Sequence, residues 1–113
     1  MITIYHKPSC STSRQVLAML KEKTNDIRII QYMENPLSVD DLRALVKKLK
    51  IPASGLVRKK EALFKEKYAA KEFSEEQWIK ILSEHPILME RPVVVNGNKA
   101  VLCRPKERVA EIF

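Results

Sequence analysis

The feature that most constrains the fold is a β-branched run followed at once by a polar cysteine loop and an amphipathic segment, within residues 2–14. Residues 2–5 read Ile-Thr-Ile-Tyr, which predicts a strand. Apolar residues then repeat at helical spacing at Val16, Leu17 and Leu20. This repeat predicts a helix that begins just after Cys10. At a helix N-terminus, unpaired backbone N–H groups and the helix dipole favour a thiolate over a thiol.

Cys10 is either a small buried apolar side chain or a reactive thiol, and its neighbours favour the second interpretation. A core cysteine would have apolar company, whereas Ser11 and Thr12 are polar residues suited to capping a helix. Arg14 adds a cation one turn along the predicted helix, on the face of Cys10. His6, four residues before the cysteine, is near enough to supply a proton or a charge.

Length and composition predict one globular domain over residues 1–113, because 45% of the residues are hydrophobic and the chain is long enough to bury a core without stabilising disulfides or metal ions. Two cysteines do not suggest a secreted disulfide scaffold. The first strand begins at Ile2 and no long apolar span follows, so we expect neither a signal peptide nor membrane association. A reducing cytoplasm is therefore the expected location.

The net charge of +7, from 21 basic and 14 acidic residues, has three interpretations: nucleic-acid binding, an anionic small molecule, or a solvated lysine-rich surface. Aromatic residues make up only 6% of the chain, and none interleave with the basic runs as they do in a base-stacking surface. We therefore expect no nucleic-acid partner and assign most of the excess charge to lysines on helix faces.

The second strand is predicted at residues 28–32, and capping patterns predict helices after it. Residues 38–41 form a capping box with Asp in place of the usual Glu, and residues 74–77 form a second one. Between these helices, residues 53–60 are predicted to form a short helix or turn held against the core. That segment would aim Arg58 inward, and a basic cluster on the surface is an equally good interpretation.

The C-terminal third predicts a β-hairpin, with strands at residues 92–95 and 100–103 around an Asn-Gly turn. Proline is acceptable at the start of a strand, and a cis Arg91–Pro92 bond would give a sharp entry into this one. A final helix beginning at Pro105 is predicted to pack through three residues, Val109, Ile112 and Phe113.

The resulting order is β-α-β-α, a helical insertion, then β-β-α, with a parallel first pair of strands and an antiparallel hairpin. This order predicts an α/β fold of the thioredoxin-like class, with a four-stranded mixed sheet flanked by helices. Ser13 occupies the second position of a Cys-x-x-Cys motif, so Cys10 belongs to a monothiol site. The partner that Cys10 attacks must then be a substrate or an external thiol.

Four separated motifs in the order of the chain resemble those of the glutaredoxin-coupled arsenate reductase (ArsC-like) family. They are His6-x-x-x-Cys10-x-x-x-Arg14, then Leu56-Val-Arg58-Lys, then His85-Pro-Ile-Leu88 followed by Arg91-Pro-Val-Val94, and finally Leu102-Cys-Arg104-Pro105. The resemblance runs from the first strand to the last helix. It implies a thioredoxin-like fold with an inserted helical region.

The resemblance also implies roles for individual residues. Cys10 would be the nucleophile and His6 the histidine that tunes it. Three arginines would bind the oxyanion: Arg58, Arg91 and Arg104. Ser11, Thr12 and Arg14 would complete the substrate-binding set.

The expected reaction is the reduction of arsenate to arsenite through a thiol–arsenate intermediate, with glutathione as co-substrate, glutaredoxin as partner and no bound cofactor or metal. A monomer is expected. Cys103 is interpreted as structural, because inert cysteines are common and the family scheme does not need a second thiol.

Two other function classes stay open. A glutathione-dependent thiol transferase acting on mixed disulfides would need Cys10 but not three arginines. A non-enzymatic transcriptional regulator of the Spx type would share the fold, but such regulators commonly carry a Cys-x-x-Cys switch, which Ser13 interrupts. The full set of arginines favours the arsenate reductase.

Overall fold

The computed structural model describes residues 1–113 and contains one four-stranded sheet in the order β2-β1-β3-β4. The strands are β1 (Ile2–His6), β2 (Ile27–Gln31), β3 (Val93–Asn96) and β4 (Lys99–Leu102). The α-helices are α1 (Ser11–Lys23), α2 (Val39–Leu49), α3 (Ala62–Lys67) and α4 (Glu75–Glu84). Three 3₁₀ helices lie at Ala53–Leu56, Pro86–Leu88 and Lys106–Ile112.

Strand pairing confirms the mixed sheet and the thioredoxin-like α/β class. At the centre, Ile4 of β1 pairs in parallel register with Ile29 of β2 and in antiparallel register with Val94 of β3. The hairpin of β3 and β4 is present as predicted, but it closes through the pair Asn96 and Lys99. Its two turn residues are therefore Gly97 and Asn98, not the predicted Asn-Gly pair, because Asn96 is still paired within β3. Gly97 has a φ of 61°, a conformation that glycine adopts without steric cost.

The chain divides into two compact units, one of residues 1–35 with 91–113 and one of residues 36–90. The first contains the whole sheet, and the second contains the inserted helices. These units describe packing within the chain. The expectation of a single domain over residues 1–113 stays a prediction.

The core of the first unit lies between the sheet, α1 and the C-terminal 3₁₀ helix. Because side chains alternate along a strand, Ile2, Ile4 and His6 share one face of β1, and all three are buried. The buried apolar residues of this core are Ile2, Ile4, Val16, Leu20, Val94, Val101, Cys103, Val109 and Ile112. This packing holds the start of α1, and therefore Cys10, against the end of β1.

The second unit confirms both predicted capping boxes. The Ser38 side chain accepts a hydrogen bond from the Asp41 backbone N–H, and Ser74 accepts one from that of Gln77. In addition, the Glu75 carboxylate accepts hydrogen bonds of 2.9 and 3.1 Å from the Ala53 backbone N–H. This contact ties α4 to the 3₁₀ helix that precedes Arg58.

Several local predictions differ from the structure. Cys10 itself is the N-cap residue of α1, without a side-chain capping bond, so Ser11 and Thr12 are not its caps. The C-terminal segment is a 3₁₀ helix, and Phe113 at its end is 51% exposed. With three residues per turn, Val109 and Ile112 share the buried face of this helix and Phe113 lies outside it. The Arg91–Pro92 bond is cis as predicted, and Arg104–Pro105 is cis as well. Every helix is too short or too polar to span a lipid bilayer.

Candidate active site

Cys10 lies in the loop between β1 and α1, where a tight turn aims it at the helix start. Its backbone N–H donates to the Lys7 carbonyl at 2.9 Å, and its carbonyl accepts the first helical bond from Arg14 N–H at 3.1 Å. The extended conformation of an N-cap residue places the side chain over the first turn, whose N–H groups have no intrahelical acceptor. The sulfur is half-buried.

The pKa of Cys10 is lowered to about 7. Partial burial alone would raise it, but hydrogen bonds to the sulfur from the Ser13 backbone N–H, the Arg91 side chain and the Ser13 hydroxyl outweigh burial. The positive charge of Arg91 lowers the pKa further. A free cysteine titrates near 8.5, so this site holds a large fraction of thiolate at neutral pH.

Ser13 contacts the Cys10 sulfur, although the sequence reasoning did not select it as a site residue. It is completely buried, and its Oγ lies 3.5 Å from the Lys7 backbone nitrogen. A hydroxyl that accepts from Lys7 N–H directs its own proton elsewhere, and the Cys10 sulfur is the acceptor. The spacing i, i+3 from Cys10 in the first helical turn is the signal that could have identified it.

Arg104 approaches the sulfur from the end of β4. Its Nε donates to the Arg91 carbonyl at 2.7 Å, and its Nη2 lies 3.6 Å from Cys10 Sγ. The first contact fixes the plane of the guanidinium, so the second places a permanent cation against the thiolate.

Arg91, one of the three arginines expected to bind the oxyanion, is unusually buried for an arginine and is only 7% exposed. Although it hydrogen-bonds the Cys10 sulfur, its Nε and Nη1 have no hydrogen-bond partner. Burying charged donors without acceptors is costly, so this arrangement is suited to a ligand that brings them. The oxygens of an anion bound beside the thiolate would be suitable acceptors for these buried donors.

His6 ends β1 and is buried, with Nδ1 lacking a hydrogen-bond partner. Burial lowers the pKa of His6, and the charges of Lys21 and Arg14 lower it further. The imidazole is therefore neutral at neutral pH. A neutral ring can exchange a proton but supplies no resident positive charge, so of the two roles expected for His6 the proton role fits.

The other residues expected after Cys10 lie at the surface or the edge of the site. Ser11 is exposed and Thr12 half-buried. The exposed Arg14 donates through Nη1 to the Pro8 carbonyl at 2.9 Å, which braces the loop that carries Cys10. The cations that contact the sulfur are Arg91 and Arg104.

Arg58 belongs to the second unit, where the backbone holds it firmly. Its N–H donates to the Leu88 carbonyl at 2.6 Å, and residues 57 and 89 form an antiparallel bridge. The side chain is 23% exposed and ion-paired with Glu61 at 3.6 Å. Of the two interpretations of this segment, the structure thus favours a short helix packed through buried Leu56 over a surface cluster.

Cys103 is completely buried in the core of the first unit. Burial raises its pKa to about 12, and the nearby charges of Arg108 and Glu111 act in opposite directions. The thiol donates to the Val101 carbonyl at 3.7 Å. A protonated, enclosed sulfur is a poor nucleophile, in keeping with the structural role expected of it. No group of His, Cys, Asp or Glu side chains is arranged to hold a metal ion.

The chain is similar to known proteins in family, sequence and structure. The model of the ArsC family matches residues 5–112. The chain is 42% identical to an arsenate reductase of Yersinia enterocolitica over 113 residues, covering 99% of this chain and 80% of that one. It is 40% identical to an arsenate reductase of Haemophilus influenzae, covering 99% and 98%.

A solved structure of an arsenate reductase from Vibrio cholerae superposes with a TM-score of 0.94 at 37% identity, covering 99% of this chain and 97% of that one. A family match and relatives of this identity, each over nearly the whole chain, leave one assignment: the chain belongs to the ArsC family.

Proposed function

We propose that this protein reduces arsenate to arsenite, with Cys10 as the nucleophile. The observation that carries the proposal is Arg91, a buried arginine with two unpartnered nitrogens that also hydrogen-bonds a thiolate-forming cysteine. Arsenate is a tetrahedral oxyanion whose oxygens would accept from those nitrogens. The names of the relatives support arsenate as the substrate.

Bound arsenate would place its two negative charges beside that of the Cys10 thiolate, so the arginines have to offset the repulsion between them. Arg104 faces the sulfur, and Arg91 has donors to spare for the substrate. We assign Arg58 to the oxyanion as well, on the strength of the family motif in which it stands. Ser11, Thr12 and Arg14 are proposed to complete binding at the mouth of α1.

In the first step the Cys10 thiolate attacks arsenic. An As–S bond forms, one As–O bond breaks, and the oxygen leaves as water after protonation. We propose His6 as the group that exchanges a proton in this step, since its ring is neutral. The product is a thiol–arsenate ester on Cys10, in which arsenic is still As(V).

In the second step a glutathione thiolate attacks the Cys10 sulfur. A disulfide forms between glutathione and Cys10, the electron pair of the S–As bond stays on arsenic, and As(V) becomes As(III). A glutaredoxin then attacks the glutathione sulfur and releases the Cys10 thiolate. Two thiols thus supply the two electrons. We also propose that the protein acts in the reducing cytoplasm, where glutathione is available as the reductant. It is proposed to act there as a monomer.

The test is arsenate reduction with glutathione, glutaredoxin and glutathione reductase, followed through NADPH consumption. Cys10→Ser should abolish turnover, because a hydroxyl is not ionised at neutral pH. Cys103→Ser is the matched control and should retain it. Turnover of Cys10→Ser near that of the wild type would place the nucleophile elsewhere.

The same assay separates the reductants. If thioredoxin supports arsenate reduction and glutaredoxin does not, the reaction stands but the glutathione route is wrong. If mixed disulfides of glutathione are reduced and arsenate is not, the protein is the thiol transferase instead.

A further inference from the structure

We propose that Cys10 also accepts the outer sulfur atom of thiosulfate and releases sulfite, so that this site works as a sulfurtransferase. This activity goes beyond arsenate reduction and does not depend on it. Its substrate class is a tetrahedral sulfonate anion that carries a transferable sulfur.

The anion site suits such a group. Arg91 is 7% exposed, and its Nε and Nη1 have no hydrogen-bond partner. The oxygens of a sulfonate group can accept from these buried donors, as those of arsenate can. Thiosulfate carries an additional sulfur on the same central atom, and a thiolate can attack that sulfur once neighbouring cations offset the negative charge on the anion. An anion held by Arg91 beside Cys10 would therefore present an electrophilic sulfur to the thiolate.

The step is balanced without an external oxidant. A bond forms between the Cys10 sulfur and the outer sulfur of thiosulfate, and the sulfur–sulfur bond of thiosulfate breaks. The electron pair of that bond leaves with sulfite, and Cys10 is left as a persulfide anion. A low-mass thiol such as glutathione then attacks the terminal sulfur, carries it away as its own persulfide and restores the Cys10 thiolate.

The surroundings of Cys10 would let the persulfide persist until an external thiol arrives. Ser13 occupies the position where a dithiol site has its second cysteine, and a hydroxyl does not reduce a persulfide. Cys103 is completely buried and cannot approach it. Arg104, with Nη2 3.6 Å from Cys10 Sγ, offers a positive charge to the persulfide anion.

The experiment uses the reduced full chain and thiosulfate, with no arsenate and no added thiol. One sulfite should be released per protein molecule, and mass spectrometry should find the Cys10 peptide heavier by one sulfur atom. Adding glutathione should remove that sulfur, and cyanide should convert it to thiocyanate. Sulfate should slow sulfite release by competing for the same arginines.

Variants locate the reaction. Cys10→Ser should release no sulfite, and Cys103→Ser should release it as the wild type does. Arg91→Lys should slow sulfite release about tenfold to a hundredfold, because lysine lacks the planar fork. Arg28→Lys, at an exposed position of β2, is the matched control and should not change the rate. Sulfate competition tests the arginine site even if the Arg91 variant does not fold.

The proposal would be overturned if the Cys10 peptide stays unmodified by thiosulfate although an alkylating reagent still reacts with the Cys10 thiol. Release of hydrogen sulfide instead of sulfite would also overturn it, because the thiolate would then have attacked the central sulfur. Arsenate turnover measured on the same sample keeps the two activities apart. Sulfite release without arsenate reduction supports this inference and contradicts the proposed function, and the reverse contradicts this inference alone.

Discussion

Replacing Arg91 by lysine is the sharpest test of the oxyanion site. The guanidinium both hydrogen-bonds the Cys10 sulfur and keeps Nε and Nη1 available for a ligand. A lysine ammonium is a point charge that can approach the sulfur or the substrate but cannot span both. The variant therefore loses at least one charge-assisted hydrogen bond, which contributes about 1.5–3 kcal/mol. Since each 1.4 kcal/mol or so is tenfold, kcat/KM for arsenate should fall about tenfold to a hundredfold.

The assay has to separate this loss from an effect on the thiol. Because Arg91 lowers the pKa of Cys10, the lysine variant also holds less thiolate at neutral pH. Alkylation of Cys10 by a neutral reagent, followed against pH, measures the thiolate fraction directly. Well above the pKa both proteins are fully ionised, and alkylation rates there should agree while arsenate kcat/KM still differs. Arg28→Lys serves as the exposed control.

Two results would refute the reasoning. If kcat/KM and the alkylation rate fall in proportion even at full ionisation, Arg91 acts on the thiol alone and the oxyanion binds elsewhere. If neither falls, the resemblance is one of fold and Arg91 has no part in the reaction. Arg91→Ala should cost more than lysine, because it removes the charge and leaves a cavity, so its thermal unfolding must be measured alongside.

Two further predictions concern the cysteines. The rate of Cys10 alkylation should rise with pH through a midpoint near 7, because the thiolate forms as pH passes the lowered pKa. Bound sulfate should move that midpoint upward, since a second anion disfavours the thiolate. A midpoint at or above about 8.5, the pKa of a free thiol, would contradict the activated site. Cys103→Ser should keep most arsenate turnover while lowering the free energy of unfolding by about 1–3 kcal/mol, because it buries a more polar group in the core. Denaturant unfolding measured beside the activity assay distinguishes a loss of stability from a loss of function. Loss of turnover in a folded variant would make Cys103 a resolving thiol.

The sequence was most informative where structure depends on neighbours within one helical turn or one hairpin. The loop and helix around Cys10, the capping boxes at Ser38 and Ser74 and the hairpin at Gly97 were all predicted, since their hydrogen bonds join residues close in the chain. The strand before Cys10 was predicted from its β-branched run, although its partner strands lie far along the chain. Phe113 was predicted wrongly. Helical spacing assigns it to a buried face, but whether a partner exists there depends on the rest of the fold.

The sequence by itself thus determined that a monothiol stands at the mouth of a helix in a thioredoxin-like chain. Only the tertiary structure decided what surrounds the sulfur. Arg104 reaches Cys10 across a separation of 94 residues, and it does so because strand order brings the end of β4 near the start of α1. That Ser13 and not Arg14 contacts the sulfur follows from burial of one side chain and exposure of the other. Such contacts depend on how distant elements pack, and no pattern within a single segment contains that information.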